Sequence, residues 1–254
     1  MKKPIVTLAA ALFLHSTAAF ADVPPSAATG AAEPPETIEV AGTKSPGSIE
    51  YKGLYKVQQV ILGTLPPEPR HIDIKFRTGR KDTVHGANGH STSRLYLVGN
   101  DLDQPIPVDD NGFFILPELP PAYREKAIIQ SNERKSEAAL NLAILIRTNG
   151  RQRLPYRDLA QAIDEATQAA SKLPWYVRML ALGSAKFETA AFCFKEGGGV
   201  KIGSASYMPD AKSRCARFDF DRALAAQNAD IEINGKLAYA SLELKQAEKI
   251  AREP

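Results

Sequence analysis

The chain has 254 residues, of which 44% are hydrophobic and 24% charged, and it contains 17 Gly, 18 Pro and 2 Cys. This composition is that of an average globular protein, so it excludes a wholly disordered chain, a collagen and a disulfide-dense toxin. The formal net charge of +3 produces no field strong enough to indicate a nucleic-acid partner.

The N-terminus has the pattern of a bacterial signal peptide. Two lysines precede an apolar run over residues 5–14, and residues 19–21 (Ala-Phe-Ala) place small side chains where a signal peptidase reads them. We predict a signal peptide over residues 1–21, cleavage between Ala21 and Asp22, and release into the periplasm. The apolar run is shorter than the roughly 20 residues of a spanning helix, and no membrane span is expected.

Cys193 and Cys215 are the only two cysteines. Because the periplasm oxidises thiols, we expect them to form a disulfide. A redox-active pair would require the Cys-x-x-Cys spacing at a helix N-terminus, which lowers the pKa of one thiol. The sequence therefore predicts a structural disulfide.

Residues 22–48 are rich in Pro, Ala, Gly, Ser and Thr, a mixture that predicts a flexible leader without a core of its own. Within it, residues 36–42 (Glu-Thr-Ile-Glu-Val-Ala-Gly) resemble the TonB box of energy-coupled outer-membrane receptors. That resemblance implies docking on an envelope partner by strand addition. A first edge strand, or disorder, is the alternative interpretation.

The first half of the remaining chain reads mainly as strands. A loose amphipathic helix is predicted over residues 51–62, followed by clear alternation of apolar and polar residues over 71–77. Further strands are expected at 95–98, 127–129 and 140–146. Residues 109–112 (Asp-Asp-Asn-Gly) predict a hairpin between 106–108 and 113–116.

The second half contains one strong helix, over about 156–173, whose apolar residues recur every three or four positions after Pro155. A short second helix is expected between Trp175 and Gly183. Strands are predicted over 187–194 and 214–220, and a turn region at residues 197–199 (Gly-Gly-Gly) is expected to join them. Residues 231–239 read as a hairpin turning at Asn234-Gly235, and the tail from Ser241 as helical or frayed.

These elements predict an α+β fold in which β dominates: an antiparallel β-sandwich-like arrangement with an inserted amphipathic helix. We expect a single domain over 49–254, with two lobes, 49–150 and 151–254, as the alternative. Whether the two halves form one sheet system is open at this point.

Candidate chemistry is sparse. His85 and His90 lie five residues apart in a loop with Asp82 nearby, yet zinc usually takes three or four ligands at defined spacing, which favours a polar loop. Asp101 and Asp103 lack the glycine and distal glutamate of a calcium loop. Around Ser91, residues 89–93 (Gly-His-Ser-Thr-Ser) approach a nucleophile elbow but lack its final glycine and precede a strand. No catalytic residue, metal ligand or cofactor is therefore assigned.

Four segments together resemble uncharacterised exported proteins of proteobacteria: the signal peptide, residues 38–42 of the leader, residues 110–117, and residues 173–178 (Leu-Pro-Trp-Tyr-Val-Arg). That family implies a periplasmic location but no activity. Residues 110–114 also resemble a hairpin of carboxypeptidase-regulatory-like sandwiches.

Three functions remain open. The favoured one is a non-enzymatic periplasmic binding or interaction module, whose sign would be a concave or apolar exposed patch. The second is an envelope coupling partner that uses residues 36–42 to dock on another envelope protein. The third is a hydrolase or metal-dependent enzyme that uses the 82–93 loop. The ligand and the oligomeric state are not indicated.

Overall fold

The computed structural model describes residues 46–81, 92–175, 177–178 and 186–245. The strands are β1 (Pro46–Glu50), β2 (Ile72–Arg80), β3 (Leu95–Val98), β4 (Asp103–Ile106), β5 (Phe113–Phe114), β6 (Ile128–Arg134), β7 (Ala138–Ile146), β8 (Arg153–Pro155), β9 (Lys186–Ile202), β10 (Ala205–Tyr207), β11 (Cys215–Asp219) and β12 (Asp230–Lys245). The helices are α1 (Tyr51–Leu62), α2 (Pro120–Arg124), α3 (Tyr156–Lys172) and α4 (Arg222–Ala226).

The strands form two antiparallel sheets. The larger has the order β10-β9-β12-β7-β2-β5, with β11 also paired to β9 and β8 to β12; the smaller has the order β1-β6-β3-β4. The predicted α+β, β-dominant, sandwich-like fold is confirmed. Strands β7 and β12 join through Leu145 opposite Ser241 and Ile144 opposite Leu242, so the larger sheet takes strands from both sides of residue 150.

The described residues form two large hydrophobic cores and a small third cluster around Cys193 and Cys215. The larger core lies between α3 and the larger sheet, and its most buried side chains are Ile72, Leu154, Tyr156, Leu159, Phe192, Phe194 and Ile231. The smaller core lies between the two sheets and α1, and includes Tyr51, Leu54, Phe76, Leu95, Leu97, Phe114 and Ile129. Leu142, on β7, packs against both cores.

Helix α3 forms where its periodicity predicts. Its buried residues are Tyr156, Leu159, Ala162, Ile163, Ala166 and Ala169, which recur at the spacing of one helix face. The Tyr156 hydroxyl accepts a hydrogen bond from the backbone N–H of Asp221 at 2.9 Å. The helix is therefore tied both to the sheet beneath it and to the start of α4.

The predicted hairpin around residues 109–112 is wrong. Asp109 accepts hydrogen bonds from the N–H groups of Asn111 and Phe113, so the local turn does form. However, β4 pairs with β3 in the smaller sheet and β5 pairs with β2 in the larger one. The turn therefore carries the chain from one sheet to the other, a choice that depends on distant strands and that turn chemistry does not encode.

The two glycine signals of the second half are also not turns. Strand β9 continues through residues 197–199 and β12 continues through Asn234-Gly235. The two segments lie opposite each other, with Gly198 paired to Gly235. A Cβ atom on Gly235 would lie 2.6 Å from the carbonyl oxygen of Gly197. The backbone φ of Gly235 is +103°. The glycines permit a close approach at an irregularity in the ladder.

Two further boundaries differ from the sequence interpretation. Strand β1 begins at Pro46, inside the predicted 22–48 leader, because β6 supplies a partner for it. Ser241 to Lys245 extend β12 and are not a helix. Most of the expected helix between Trp175 and Gly183 lies outside the described residues. Among the described helices, none is long and apolar enough to cross a membrane.

Candidate functional site

Most of the sequence-predicted candidate residues lie outside the part of the chain that the structure describes. This holds for Ala21 and Asp22, for the TonB-box-like residues 36–42, and for Asp82, His85, His90 and Ser91. The enzymatic interpretation of the 82–93 loop therefore stays a prediction. At the end of that loop, Ser93 is buried and its hydroxyl donates to Glu133 Oε1 at 3.3 Å.

His71, outside the 82–93 loop, has a structural partner. His71 Nδ1 lies 2.7 Å from Glu165 Oε1, and its backbone N–H donates to Glu165 Oε2 at 2.7 Å. This pair ties the start of β2 to α3. Asp101 lies in a bend and Asp103 begins β4. Within the described ranges, no group of three or more His, Cys, Asp or Glu side chains could hold a metal ion.

The predicted disulfide is present between Cys193 and Cys215. The two residues face each other in the β9–β11 ladder. The N–H of Phe194 donates to the carbonyl of Arg214, which places the cysteines at a non-hydrogen-bonded position, where facing side chains lie closest. Each cysteine is 1% exposed, so the disulfide links two strands inside the fold.

Sequence reasoning missed a buried arginine whose partner, Tyr239, packs against this disulfide. Arg77, on β2, is 8% exposed, and it donates to the Tyr239 hydroxyl at 2.8 Å and to the Asn111 carbonyl at 2.9 Å. Its guanidinium also lies 5.1 Å from the centre of the Phe113 ring and 4.9 Å from that of Tyr239. Burial is the main cause that raises the pKa of Tyr239. The cluster joins β2, β5 and β12, and no sequence pattern indicated it, because Arg77 takes a polar position in the alternation over 71–77 and is nevertheless buried.

A concave apolar surface, the sign expected of a binding module, lies where the two sheets separate. This inter-sheet cleft has a volume of about 210 Å³. One wall is formed by residues 47–49 of β1 and the other by residues 138–140 of β7, and its deeper lining is Leu54, Leu95, Phe114 and Ile129.

The two walls of the cleft meet at Gly47. A Cβ atom at this position would lie 2.9 Å from Cβ of Ala138, so a larger side chain would push β1 away from β7. Beyond this contact the walls part, and the rim carries two exposed apolar side chains, Ile49 at 41% and Leu140 at 37% exposure. The cleft therefore opens to solvent between apolar edges.

The cleft is equipped to hold an apolar group beside a few polar atoms. Its polar side chains are Ser48, Thr78, Ser131 and Lys135. Ser131 Oγ already accepts the backbone N–H of Glu133 at 3.0 Å. One of its walls, β1, is the terminal strand of the smaller sheet and pairs only with β6 among the described strands. The apolar cleft thus adjoins a strand whose second edge has no partner among the strands that the structure describes.

No sequence signal singled out this cleft, because its walls come from segments 90 residues apart whose proximity is set by tertiary structure.

Comparison of the chain with protein-family models, with curated proteins and with solved structures found no match in any of the three.

Proposed function

We propose that this protein is an exported, periplasmic binding module that receives an extended segment of another envelope protein at the inter-sheet cleft. The observation that carries the proposal is the apolar cleft lined by the edge strand β1. An added strand gains affinity from backbone hydrogen bonds to the free edge and specificity from a pocket that takes one of its side chains.

The size of the cleft specifies what it holds. A cavity of about 210 Å³ is smaller than the roughly 300 Å³ at which pockets for drug-sized molecules begin. It is comparable with the engineered cavity of about 150 Å³ that binds benzene. The cleft therefore suits one aliphatic or aromatic side chain of a bound segment, and the exposed Ile49 and Leu140 would be covered by its neighbours.

Site-specific photo-cross-linking in the bacterium that encodes the chain tests this binding mode. A photoreactive phenylalanine replaces either Ile49, at the rim, or Ile115, which is 47% exposed and does not line the cleft. We expect a discrete covalent adduct from position 49 only. Adducts of equal yield from both positions would contradict the proposal.

A substitution that obstructs the cleft provides a second test of the binding site. Ala138→Leu enlarges a β7 side chain whose Cβ faces Gly47 and so obstructs the cleft, whereas Ala143→Leu makes the same change further along the same strand, outside the lining. Ala138→Leu should reduce the adduct yield at position 49 at least several-fold, and Ala143→Leu should leave it unchanged. An adduct that is insensitive to Ala138→Leu would show that the cleft is not the binding site.

Export itself rests on the signal-peptide pattern and is compatible with the disulfide in the structure. N-terminal sequencing of the native protein should begin at Asp22. Retention of Met1, or alkylation of both cysteines without prior reduction, would overturn the periplasmic location.

The coupling function of residues 36–42 is the second candidate. The segment ends four residues before β1 begins, so a partner that captured it would be tethered to an ordered sheet edge. Deleting residues 36–42 should abolish partner capture in a pull-down if this function holds, whereas Ala138→Leu should not affect it. Unchanged capture after the deletion would remove this candidate.

A further inference from the structure

A second surface, which differs chemically from the apolar inter-sheet cleft, is lined by tyrosines. Tyr51 and Tyr55 on α1 face Tyr123 on α2 across a depression of about 370 Å³, completed by Glu118, Leu119, Pro120 and Arg124. We call this surface the tyrosine groove. Aromatic walls and few aliphatic side chains distinguish it from the cleft.

The floor of the tyrosine groove is rigid. Tyr51 is fully buried; its hydroxyl donates to the Pro117 carbonyl at 2.7 Å and accepts the N–H of Leu119 at 3.1 Å. Its ring stacks on that of Tyr55 with the ring centres 5.4 Å apart. Tyr55 and Tyr123 are half-buried and so present ring surface to solvent. A preformed aromatic surface lowers the entropic cost of binding.

The rim of the tyrosine groove is positively charged. Lys52 Nζ lies 4.7 Å and Lys56 Nζ 6.0 Å from the centre of the Tyr123 ring, and Arg124 is exposed at the end of α2. Across the described residues, none of these three cations lies within 4.0 Å of a carboxylate. In the lining itself Arg124 and Glu118 are the two charged side chains, and Lys52 and Lys56 beside the Tyr123 ring add two positive charges.

We propose that the tyrosine groove binds an acidic, proline-rich segment of a partner protein in the polyproline II conformation. Proline-rich segments dock in aromatic-lined grooves because their extended helix is preformed and its carbonyls are unpaired. The Tyr55 hydroxyl is available to donate to such a carbonyl, and acidic side chains between the prolines reach Lys52, Lys56 and Arg124. The positive rim selects acidic over basic segments.

Peptide titration of the full chain tests this proposal, with a fluorescent twelve-residue (Glu-Pro-Pro)4 peptide as the probe. We expect saturable binding that weakens as salt is added, because the ion pairs lie at the surface. (Lys-Pro-Pro)4 and the flexible (Glu-Gly-Ser)4 should bind at least about tenfold more weakly. Equal binding of the basic peptide would overturn the charge selection, and equal binding of the flexible one would overturn the polyproline II conformation.

Matched variants locate the site. Tyr123→Ala and Lys56→Glu should each weaken (Glu-Pro-Pro)4 binding about tenfold, whereas Tyr96→Ala and Lys201→Glu, which make the same changes outside the groove, should stay within about twofold. Similar losses in both pairs would overturn the assignment.

Two other occupants are outcomes of the same titration. Residues 33–36 of this chain read Glu-Pro-Pro-Glu, and Pro34→Ala with Pro35→Ala in the full chain should leave the probe affinity unchanged. An increase would mean that this segment, and not a partner, occupies the groove. Displacement of the probe by a neutral oligosaccharide would likewise replace the peptide assignment with a glycan.

Discussion

At the scale of single residues, an ion-pair network at the start of β2 makes stability depend on pH. Arg147 donates to Asp73 at 2.6 Å and to Glu68 at 2.8 Å, and Arg70 also contacts Asp73, at 3.2 Å. Burial raises the pKa of Asp73, but the hydrogen bonds from Arg147 and Arg70 outweigh it, so the pKa lies below its ordinary value of 3.8. The network therefore stabilises the folded state when Asp73 is ionised.

Asp73→Asn should lower the free energy of unfolding by about 1 kcal/mol at neutral pH, since it removes a partly exposed charge pair. Because the folded-state pKa is below the unfolded one, the contribution is complete above pH 3.8 and is lost as the pH falls through the folded-state value. The difference between the variant and the wild type should then shrink in acid.

Urea unfolding of the wild type and the variant at neutral and at acidic pH measures this. Asp164→Asn is the control, because Asp164 is exposed on α3 and has no ion pair in the described part of the structure. A constant difference between wild type and Asp73→Asn at all pH values would contradict the assignment.

At the scale of elements, β9 and β12 form the longest pairing of the fold, and its irregular point is made by glycines. A Cβ atom on Gly198 would lie 2.6 Å from the Asn234 carbonyl and would collide with the Phe194 ring, whereas one on Gly197 would meet no atom within 4 Å. Two adjacent glycines in one strand thus differ in the space around them.

Gly198→Ala should therefore destabilise the protein by about 1–3 kcal/mol through overpacking. Gly197→Ala is the control, with an expected change within about 0.5 kcal/mol. Thermal unfolding of both variants is the measurement. Equal stability of the two variants would show that the strands separate at little cost.

The disulfide joins the same strand, β9, to its other neighbour, β11. The Cys193–Cys215 bond closes a loop with a sequence separation of 22 residues, for which the chain-entropy model gives about 3 kcal/mol. The double variant Cys193→Ala/Cys215→Ala should therefore lose about 2–4 kcal/mol of unfolding free energy in urea. Adding reductant should destabilise the wild type but leave the double variant unaffected. Equal urea midpoints for the wild type with and without reductant would refute this contribution.

Local patterns predicted the elements better than their partners. The alternation over 71–77 and the periodicity over 156–173 depend only on whether each side chain faces the core or the solvent. The strand and the helix that these patterns predict both form. The turn signals at 109–112, 197–199 and 234–235 report only that the backbone departs from regular structure. Whether that departure is a hairpin, a crossover between sheets or a close strand contact depends on distant segments.

At the scale of the whole molecule, the two cores share Leu142. We expect Leu142→Ala to destabilise the protein by about 1–2 kcal/mol and to reduce the denaturant m-value, because the cores would no longer unfold in one step. Leu224→Ala, which truncates a partly buried leucine that packs only on the larger core, should leave the m-value unchanged. If both variants kept the wild-type m-value, coupling through Leu142 would be disproved.

Neither candidate site could be read from the sequence. The cleft joins residues 47–49 to residues 138–140, and the tyrosine groove joins α1 to α2. In each case the residues are of common types, and they form a site only because the fold brings distant segments into contact. The disulfide was predictable because a chain with two cysteines allows one intramolecular pairing.

The position of β12 in the larger sheet has a consequence for biosynthesis. This strand lies between β9 and β7, yet it is made after both of them. A ribosome that stops before residue 230 releases a product in which two long neighbours lack their common partner, and such open edges invite intermolecular pairing. Nonsense mutations shortly before the codon of Asp230, where β12 begins, should therefore yield insoluble, rapidly degraded polypeptide rather than a shortened working protein.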